Sequence, residues 1–193
     1  DSLKAFSGYK RIKIIGLSQY LGNSNQCTVS WGDQSKVFPI DQTNNGRFEM
    51  IVDNLEERGY EFDIITKDPS GNNSVKQTVR GRAVGDIFKN NQASRRLVSF
   101  ENEEKELFIR WADKEESEYV IYTLLRYETN DDTMTEVVIY PSDVLTKLEN
   151  WKPYGKVEII SSVISGDNGF DTIELDTVEK ELPEPPPSGL SVD

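Results

Sequence analysis

Oxygen-bearing side chains are concentrated in the segment TKDPSGNNS, residues 66–74. They take every second position, as the ligands of calcium loops do: Asp68, Ser70, Asn72 and Ser74. An EF-hand-type loop that begins at Asp68 needs glycine at its sixth position and glutamate at its twelfth, but these positions hold Asn73 and Val79. The run Asp-Pro-Ser-Gly instead predicts a hairpin turn in which Gly71 accepts positive φ. Asn72 also begins a glycosylation sequon, which matters only in a secretory pathway that performs N-glycosylation.

Acidic residues crowd two further segments, FENEEKELF at 100–108 and DKEESEY at 113–119. A glycoside hydrolase needs two carboxyl groups about 5–10 Å apart across a cleft. These acids fall at predicted strand ends and loops, so we predict a solvated acidic rim, with a carboxylate-pair hydrolase as the alternative. Their spacing does not support a Ca²⁺ site among the five candidate ligands: Asp113, Glu115, Glu116, Asp131 and Asp132.

The chain contains no histidine and one cysteine, Cys27. The lack of histidine excludes His-based triads, imidazole metal sites and histidine general bases. A lone cysteine excludes an intrachain disulfide and a CxxC motif. Cys27 is predicted to be a small buried strand residue, because no histidine is present to activate a thiol nucleophile. We therefore expect no catalytic residue, no metal and no cofactor.

Aromatic side chains are the remaining candidates for recognition, and the run EYVIYTLLRYE carries three tyrosines. Strand alternation gives this run two largely apolar faces, the first carrying Tyr119, Ile121, Leu125 and Tyr127 and the second carrying Val120, Tyr122 and Leu124. A sandwich strand needs only one apolar face, so the other is covered by the first module or a neighbouring loop, or it binds a sugar or a protein. The candidate ligand face comprises Tyr119, Tyr122 and Tyr127. The three tryptophans are predicted to lie in the core: Trp31, Trp111 and Trp151.

The net charge of −12 is carried by one half of the chain. Residues 1–86 hold 11 Lys/Arg and 11 Asp/Glu, whereas residues 87–193 hold 11 Lys/Arg and 23 Asp/Glu. An acidic half repels phosphate backbones and anionic lipid headgroups. We therefore expect no nucleic-acid partner and no direct docking on an anionic membrane.

The elements that must position these residues are β-strands. Apolar residues alternate with polar ones in QCTVSW, YEFDIIT, ELFIRW and GKVEIISSV, and turn sequences such as TNNG, PSGNN and SGDNG separate the runs. Many short strands with turns at intervals of roughly ten residues predict an all-β sandwich fold. No apolar run approaches the ~20 residues that a membrane-spanning helix requires.

A weak internal repeat indicates two modules rather than one large fold. MIVDNLEERGYEFDIITKDPSGNNS begins at Met50, and TKLENWKPYGKVEIISSVISGDNGF begins at Thr146. Both run strand, Asn-(Leu/Trp), a glycine-bearing turn, an alternating strand and a Gly/Asn turn. We predict a first β-sandwich at 1–86, a second at 87–182, and a Pro-rich tail or linker at 183–193.

The repeat resembles the strand–turn–strand core of fibronectin type III domains, whose pattern is V-x-N-L-x-x-G-x-Y-x-F. In the first module the matching residues are Val52, Asn54, Leu55, Gly59, Tyr60 and Phe62. In the second module they are Leu148, Asn150, Trp151, Pro153, Gly155 and Val157. The second copy has Val157 where the family has its corner tyrosine, so the corner hydrogen bond is in question. The resemblance implies two tandem fibronectin type III or immunoglobulin-like β-sandwiches.

About the first 95 residues also resemble a more specific family with this fold, the surface lipoproteins of Gram-negative, gut-type bacteria whose domain has no assigned function. The segments that carry this resemblance are DSLKAFSGYKRIKIIGLS, VSWGDQSKVFPI, VDNLEERGYEFDIITKDPSGNNSVKQTVRGRAVGD and NNQASRR. It implies a cell-surface, outer-membrane lipoprotein, held by a lipid anchor upstream of this segment and associated with glycan uptake. The resemblance implies no catalytic residue for this chain, because none is established for the family.

These observations predict a non-catalytic surface module for binding or scaffolding, with glycans or other surface proteins as partners. The alternatives are the carboxylate-pair hydrolase and a purely structural spacer. A pocket with two close acids would favour the hydrolase, and the absence of an exposed aromatic face would favour the spacer.

Overall fold

A computed structural model describes residues 3–17, 21–40, 46–103, 106–113 and 118–185. The described chain is built from fifteen β-strands and one short helix, α1, at Asp86–Asn90. The predicted all-β fold is therefore confirmed. That five-residue helix is the only one in the described ranges, and it has neither the length nor the apolar character needed to cross a membrane.

The chain forms two compact units, and the first contains residues up to Lys89 together with Ser165–Thr172. The described residues of this unit form seven strands, in chain order: β1 Lys4–Gly8, β2 Arg11–Leu17, β3 Gln26–Trp31, β4 Gln34–Pro39, β5 Arg47–Val52, β6 Arg58–Lys67 and β7 Gln77–Ala83. They form two antiparallel sheets, one ordered β1-β2-β5 and the other β4-β3-β6-β7. Alternating apolar residues of both sheets meet in one core, which includes Ile12, Ile14, Met50, Val29 and Phe62.

The second unit contains Asn90–Ile164 and the chain from Ile173 onward. Its described strands are β8 Leu97–Glu103, β9 Glu106–Trp111, β10 Val120–Glu128, β11 Met134–Ile139, β12 Leu145–Leu148, β13 Lys156–Ile164, β14 Thr172–Glu174 and β15 Val178–Glu181. One sheet is ordered β12-β9-β8, and the other is ordered β11-β10-β13-β14, with β15 also paired to β13. Both units thus place their first, second and fifth strands in one sheet and their third, fourth, sixth and seventh in the other. This shared order explains the sequence repeat.

A left-handed asparagine marks the same corner in both units. Asn54 follows β5 with φ 58°, and Asn150 follows β12 with φ 49°. Asparagine tolerates this region better than most residues do, which accounts for its recurrence in the repeat. In the first unit Tyr60 closes the corner, because its hydroxyl donates to the carbonyl of Glu56 at 3.2 Å.

The second unit closes its corner with a tyrosine from a different strand. Val157 is fully buried and has no hydroxyl to offer. Tyr127 of β10 fills the role, since its hydroxyl donates to the Glu149 carbonyl at 3.1 Å and accepts from the Glu149 N–H at 3.0 Å. The second corner therefore has a tyrosine hydrogen bond although Val157 replaces the tyrosine of the family pattern, because Tyr127 supplies the hydroxyl.

A buried cation fixes the segment that leads into β8. Arg95 is only 5% exposed, and its guanidinium donates to the carbonyls of Tyr140, Pro141 and Asp143. The guanidinium also lies over the Trp111 ring, 5.3 Å from its centroid. Burial lowers the pKa of Arg95 from its ordinary value, yet the carbonyls and the ring accommodate the charge. Arg95 therefore anchors the run NNQASRR to the second core.

The segment Ser165–Thr172 lies between β13 and β14 in the sequence but belongs to the first unit. Phe170 N donates to the Ser7 carbonyl at 2.9 Å, Ser7 N donates to the Asn168 carbonyl at 3.0 Å, and Ser165 Oγ donates to Ser7 O at 2.7 Å. The first unit is thus discontinuous in the chain. The domain bounds 1–86, 87–182 and 183–193 stay predictions about which segments fold independently.

Candidate functional site

Tyr127 is not part of a ligand face, which corrects the sequence prediction. Its side chain is 1% exposed and lies in the second core. Burial raises the pKa of its hydroxyl, although the hydrogen bond to the Glu149 backbone opposes that shift. The apolar alternation that suggested a binding surface is here the inward face of β10.

The other two tyrosines of the prediction lie elsewhere on the same strand. Tyr122 is half-buried and points to the face opposite Tyr127, as residues five apart on a regular strand must. Tyr119 is half-buried just before β10, where its backbone carbonyl accepts from Ile164 N at 2.9 Å. A register irregularity between Val120 and Tyr122 separates it from the regular part of the strand. The structure therefore does not bring the three tyrosines together on one face.

The outward face of β10 continues onto β11 and includes a tyrosine that the sequence prediction missed. Leu124 pairs with Val138, and Tyr122 and Tyr140 each adjoin the last pair of the ladder, Thr123 with Ile139. Val138 is 49% exposed and Tyr140 is 57% exposed. We call the surface formed by Tyr122, Leu124, Val138 and Tyr140 the tyrosine face. The alternation in TEVVIY, with buried Ile139 between Val138 and Tyr140, was the signal that could have identified it.

Charged side chains border the tyrosine face on one side. Arg126 Nε donates to Glu136 Oε1 at 2.7 Å, and Arg126 Nη1 lies 3.6 Å from Glu158 Oε2. Lys156 lowers the pKa of Glu158 below its ordinary value, with a smaller contribution from Arg126. The face is thus an apolar and aromatic strip that ends at a row of paired charges.

A second feature is a polar groove at the corner of the second unit, about 260 Å³ in volume. We call it the corner groove, and its polar and aromatic lining residues are Glu106, Asn130, Lys147, Glu149, Asn150 and Trp151. They come from the start of β9, the β10–β11 turn and the segment from the end of β12 to the corner. Trp151 was predicted to lie in the core; it packs against the second core but stays half-buried and also lines this groove.

Backbone and side-chain hydrogen bonds join the two loops of the corner groove. Asn130 N donates to the Asn150 carbonyl at 2.9 Å, and Thr129 and Trp151 form a β-bridge. Asn130 Nδ2 donates to Asn150 Oδ1 at 3.2 Å and to the Trp151 carbonyl at 3.0 Å. The loops therefore form one cross-linked unit.

Two of the candidate Ca²⁺ ligands lie at this corner, but their carboxylates accept hydrogen bonds from side chains of the protein. Asp131 Oδ2 accepts from Asn150 Nδ2 at 2.7 Å, whereas Asp132 Oδ1 accepts from Lys152 Nζ at 2.7 Å. Glu115 and Glu116 lie outside the described residues. Within the described ranges, no group of three or more acidic or cysteine side chains is arranged to hold a metal ion.

Two acids do border the corner groove, which is the arrangement that would favour the hydrolase. Lys147 Nζ lies between them, 2.6 Å from Glu106 Oε1 and 3.0 Å from Glu149 Oε1. The Glu106 and Glu149 side chains are 48% and 75% exposed. An ammonium group thus takes the space between the carboxylates, where a glycosidic oxygen would have to lie in a hydrolase.

The segment Thr66–Ser74 forms the predicted turn. Gly71 has φ 92°, and its N–H donates to the Asp68 carbonyl at 3.0 Å. Asp68 Oδ1 and Oδ2 accept from the backbone and side-chain nitrogens of Asn72 at 2.8 and 2.9 Å. These hydrogen bonds, led by that from the Asn72 side chain, lower the pKa of Asp68. Its carboxylate therefore stabilises the hairpin.

Cys27 and the two other tryptophans belong to the cores. Cys27 is fully buried, and burial raises the pKa of its thiol to about 11, so a thiolate is disfavoured at neutral pH. Trp111 is 2% exposed and donates its indole N–H to Thr146 Oγ1 at 2.8 Å. Trp31 packs half-buried against the first core. Core positions for Cys27 and Trp111 agree with the sequence prediction, whereas Trp31, like Trp151, packs against a core without being fully buried.

Comparisons with known proteins place the chain in a family. Residues 1–172 match the family DUF4998, a domain of unknown function. A search of curated proteins gave no match. Among solved structures, the chain is similar to the FN1–FN3 domains of chicken CNTN1, with 15% sequence identity and a TM-score of 0.46 over 95% of this chain. It spans 64% of that CNTN1 fragment, less than two thirds of its length.

The comparison with solved structures also matches a second chain. It is a segment of two fibronectin type III domains from chicken tenascin, with 14% identity and a TM-score of 0.36. The similarity covers 95% of this chain and 98% of the tenascin segment. The family match, in turn, extends from the first residue through the first unit and through β8 to β13 of the second, and ends at Thr172. Since that match covers most of its length, this chain belongs to the DUF4998 family of domains of unknown function.

Proposed function

We propose that this chain is a non-catalytic binding or scaffolding module of the cell surface, and that its tyrosine face contacts a glycan. The observation that carries the proposal is the exposure of Tyr140 and Val138 beside Tyr122 and Leu124 on the outward face of β10 and β11. A β-sandwich does not need this second apolar face for its core, because the inward face already supplies Leu125 and Tyr127.

The geometry of the tyrosine face suits a flat ligand. Tyr122 and Tyr140 each adjoin the last β10–β11 pair, Thr123 with Ile139, so one ligand at this end of the two strands can reach both side chains. Tyrosine offers an apolar ring and a hydroxyl that stays in water. Sugar rings present apolar C–H patches and polar hydroxyls together, and the two tyrosines complement both.

The proposal that the module is non-catalytic is supported by how its acids are placed. Glu106 and Glu149, the two acids that border the corner groove, are separated by Lys147. Other acids of the second unit lie in surface ion pairs, such as Glu101 with Arg110 and Glu128 with Lys152. This arrangement supplies no proton donor facing a nucleophile across a water-excluding cleft.

A location at the cell surface is proposed from the resemblance of the first 95 or so residues to bacterial surface lipoproteins. In that setting a lipid anchor upstream of this segment would attach it to the outer membrane, and glycans or other surface proteins would be its partners. The acidic residues after position 86 disfavour nucleic acid and direct contact with anionic lipid. A purely structural spacer is the outcome that remains if the tyrosine face binds nothing.

A glycan panel tests the proposal. The wild-type chain is compared with Tyr122→Ala and Tyr140→Ala, and with Tyr154→Ala as a control. Tyr154 is a matched control because it is 57% exposed, as Tyr140 is, but lies in the β12–β13 connection rather than on the tyrosine face. We expect the two face variants to weaken glycan binding and the control to retain it. Glycan binding that both face variants retain in full would overturn the assignment of the face.

A further inference from the structure

We infer that the corner groove is a second ligand site, which takes a single neutral sugar unit. This inference rests on the proposed glycan-binding function and assigns it a site separate from the tyrosine face. The lining combines a half-buried tryptophan, Trp151, with the amides Asn130 and Asn150 and the charged trio Glu106, Lys147 and Glu149. These groups offer mainly hydrogen-bond donors and acceptors within one small volume, with a small apolar contribution from the lining.

The groove presents hydrogen-bonding groups that no protein partner uses. In the described part of the chain, neither Trp151 Nε1 nor Asn130 Oδ1 has a hydrogen-bond partner, although every other polar contact of these residues is made within the two loops. Among the described residues that are not exposed, no side-chain nitrogen or oxygen is both buried and unpaired, so Trp151 Nε1 reaches solvent. Asn130 is itself an exposed residue. A sugar hydroxyl can accept from the indole N–H and another can donate to the amide oxygen.

The positions of these groups are fixed before a ligand arrives. Asn130 Nδ2 already bonds Asn150 Oδ1 and the Trp151 carbonyl, and Lys152 N donates to the Glu128 carbonyl at 3.0 Å. Asn130 Oδ1 and the Trp151 ring are therefore held in place by bonds that a ligand does not have to form. Preorganised groups lose less conformational freedom on binding, which favours affinity for a small ligand.

The charge and the volume of the corner groove limit which sugars it can bind. Two carboxylates and one ammonium line the groove, an excess of one negative charge, so an anionic sugar is repelled whereas a neutral one is not. The volume of about 260 Å³ lies below the ~300–1,000 Å³ that sites for drug-sized ligands occupy. The groove therefore fits one sugar ring, such as a chain terminus, and not an extended oligosaccharide.

The indole N–H signals of the three tryptophans test the inference by NMR, with the Trp151 signal assigned by its loss in Trp151→Phe. The full chain is titrated separately with the methyl glycosides of glucose, galactose, mannose and N-acetylglucosamine, and with glucuronic acid as the anionic comparison. We expect at least one neutral glycoside to shift the Trp151 signal with saturation on the order of millimolar. Glucuronic acid should leave that signal in place.

A matched pair of variants distinguishes the groove from the rest of the chain. Trp151→Phe keeps an aromatic ring but lacks the indole N–H, and should weaken the glycoside about fivefold, followed through the Asn130 side-chain signals. Trp31→Phe makes the same change at another half-buried tryptophan, in the first unit, and should bind as the wild type does. No shift of the Trp151 signal with any glycoside, or an equal response to glucuronic acid, would overturn the inference.

The outcomes also separate this inference from the proposed function. Glycan binding on the panel that depends on Tyr122 and Tyr140, without any response at Trp151, overturns the groove site and leaves the proposed function standing. If a glycoside shifts the Trp151 indole signal while Tyr122→Ala and Tyr140→Ala leave glycan binding unchanged, the tyrosine face is not the ligand surface. If the wild-type chain binds no glycan in either experiment, both proposals fail.

Discussion

Arg11 and Asp171 form a two-pronged ion pair although 160 positions separate them in the sequence. Arg11 Nε donates to Asp171 Oδ2 at 2.8 Å, and Arg11 Nη2 donates to Asp171 Oδ1 at 2.5 Å. Asp171 Oδ2 also accepts from the backbone N–H of Tyr9 at 2.8 Å. The pair fastens Ser165–Thr172 to the β1–β2 hairpin, so the first unit depends on a segment from the far end of the chain.

Removing the charge of Asp171 should destabilise the first unit. The Asp171 side chain is about nine-tenths buried, whereas that of Arg11 is 41% exposed. Because Arg11 still contacts water, we expect Asp171→Asn to lower the free energy of unfolding by about 1–3 kcal/mol, less than the loss of one partner from a fully buried ion pair. Urea denaturation measures it. Asp33→Asn, at an exposed turn position, removes the same charge without this contact and should change the unfolding free energy by less than about 0.5 kcal/mol. Equal effects of the two substitutions would contradict the role of Asp171.

A methyl group at Gly8 should dislodge the same segment. An added Cβ there would lie 2.5 Å from Phe170 Cε1 and 2.6 Å from Asp171 Oδ2, closer than van der Waals contact permits. Gly8→Ala is therefore expected to cost about 1–3 kcal/mol in a thermal or urea unfolding measurement. Gly59→Ala is the control, because a Cβ at Gly59 has no atom within 4 Å. A Gly8→Ala chain as stable as the Gly59→Ala chain would show that the segment does not pack closely there.

The stability contributed by Asp171 should disappear in acid. Burial opposes the charged form, but the hydrogen bonds from Arg11 and Tyr9 outweigh it and hold the pKa of Asp171 below its ordinary value. A carboxylate whose pKa is lower in the folded state stabilises the fold above its unfolded pKa of about 4 and loses that contribution as pH falls through the folded value. The difference in unfolding free energy between wild type and Asp171→Asn should therefore be full at pH 6 and shrink below about pH 4. A difference that stays constant down to pH 2 would contradict the assignment.

Loss of the Tyr127 hydroxyl should cost more than loss of the Tyr60 hydroxyl. Tyr127 serves both the N–H and the carbonyl of Glu149 from a buried position, so Tyr127→Phe leaves two backbone groups without their partner. We expect the unfolding free energy to fall by about 1–3 kcal/mol for Tyr127→Phe and by less than about 1 kcal/mol for Tyr60→Phe, whose hydroxyl donates to the Glu56 carbonyl from an exposed site. Chemical denaturation of the two variants measures the difference. The reverse order would mean that the second corner does not rely on Tyr127.

Strand alternation made the architecture predictable, because each strand buries one face and therefore shows a period of two. The runs QCTVSW and ELFIRW became β3 and β9, and the repeat around Asn54 and Asn150 became the same corner in both units. Alternation identifies which residues share a face but not which face is inward. The strand of Tyr122 and Tyr127 has apolar residues on both faces, and only the burial of Tyr127 in the second core shows that it is inward.

The long-range contacts could not be predicted for a different reason. Nothing in the local sequence of Asp171 indicates Arg11 as its partner, since the contact depends on the path of a loop between β13 and β14. Tyr140 was not predicted, although the alternation in TEVVIY, which overlaps β11 and ends at Tyr140, indicates a strand there. Trp151 was predicted to be buried by its place in the fibronectin pattern, whereas it packs on the core and borders a groove.

The central claim is that the tyrosine face binds a glycan, and calorimetric titration tests it most directly. The glycan that binds most strongly on the panel is titrated into the wild type, the double variant Tyr122→Ala/Tyr140→Ala and the Tyr154→Ala control. The account predicts that the double variant binds at least about tenfold more weakly while the control retains the wild-type affinity. A double variant that folds normally and binds with wild-type affinity would contradict the claim.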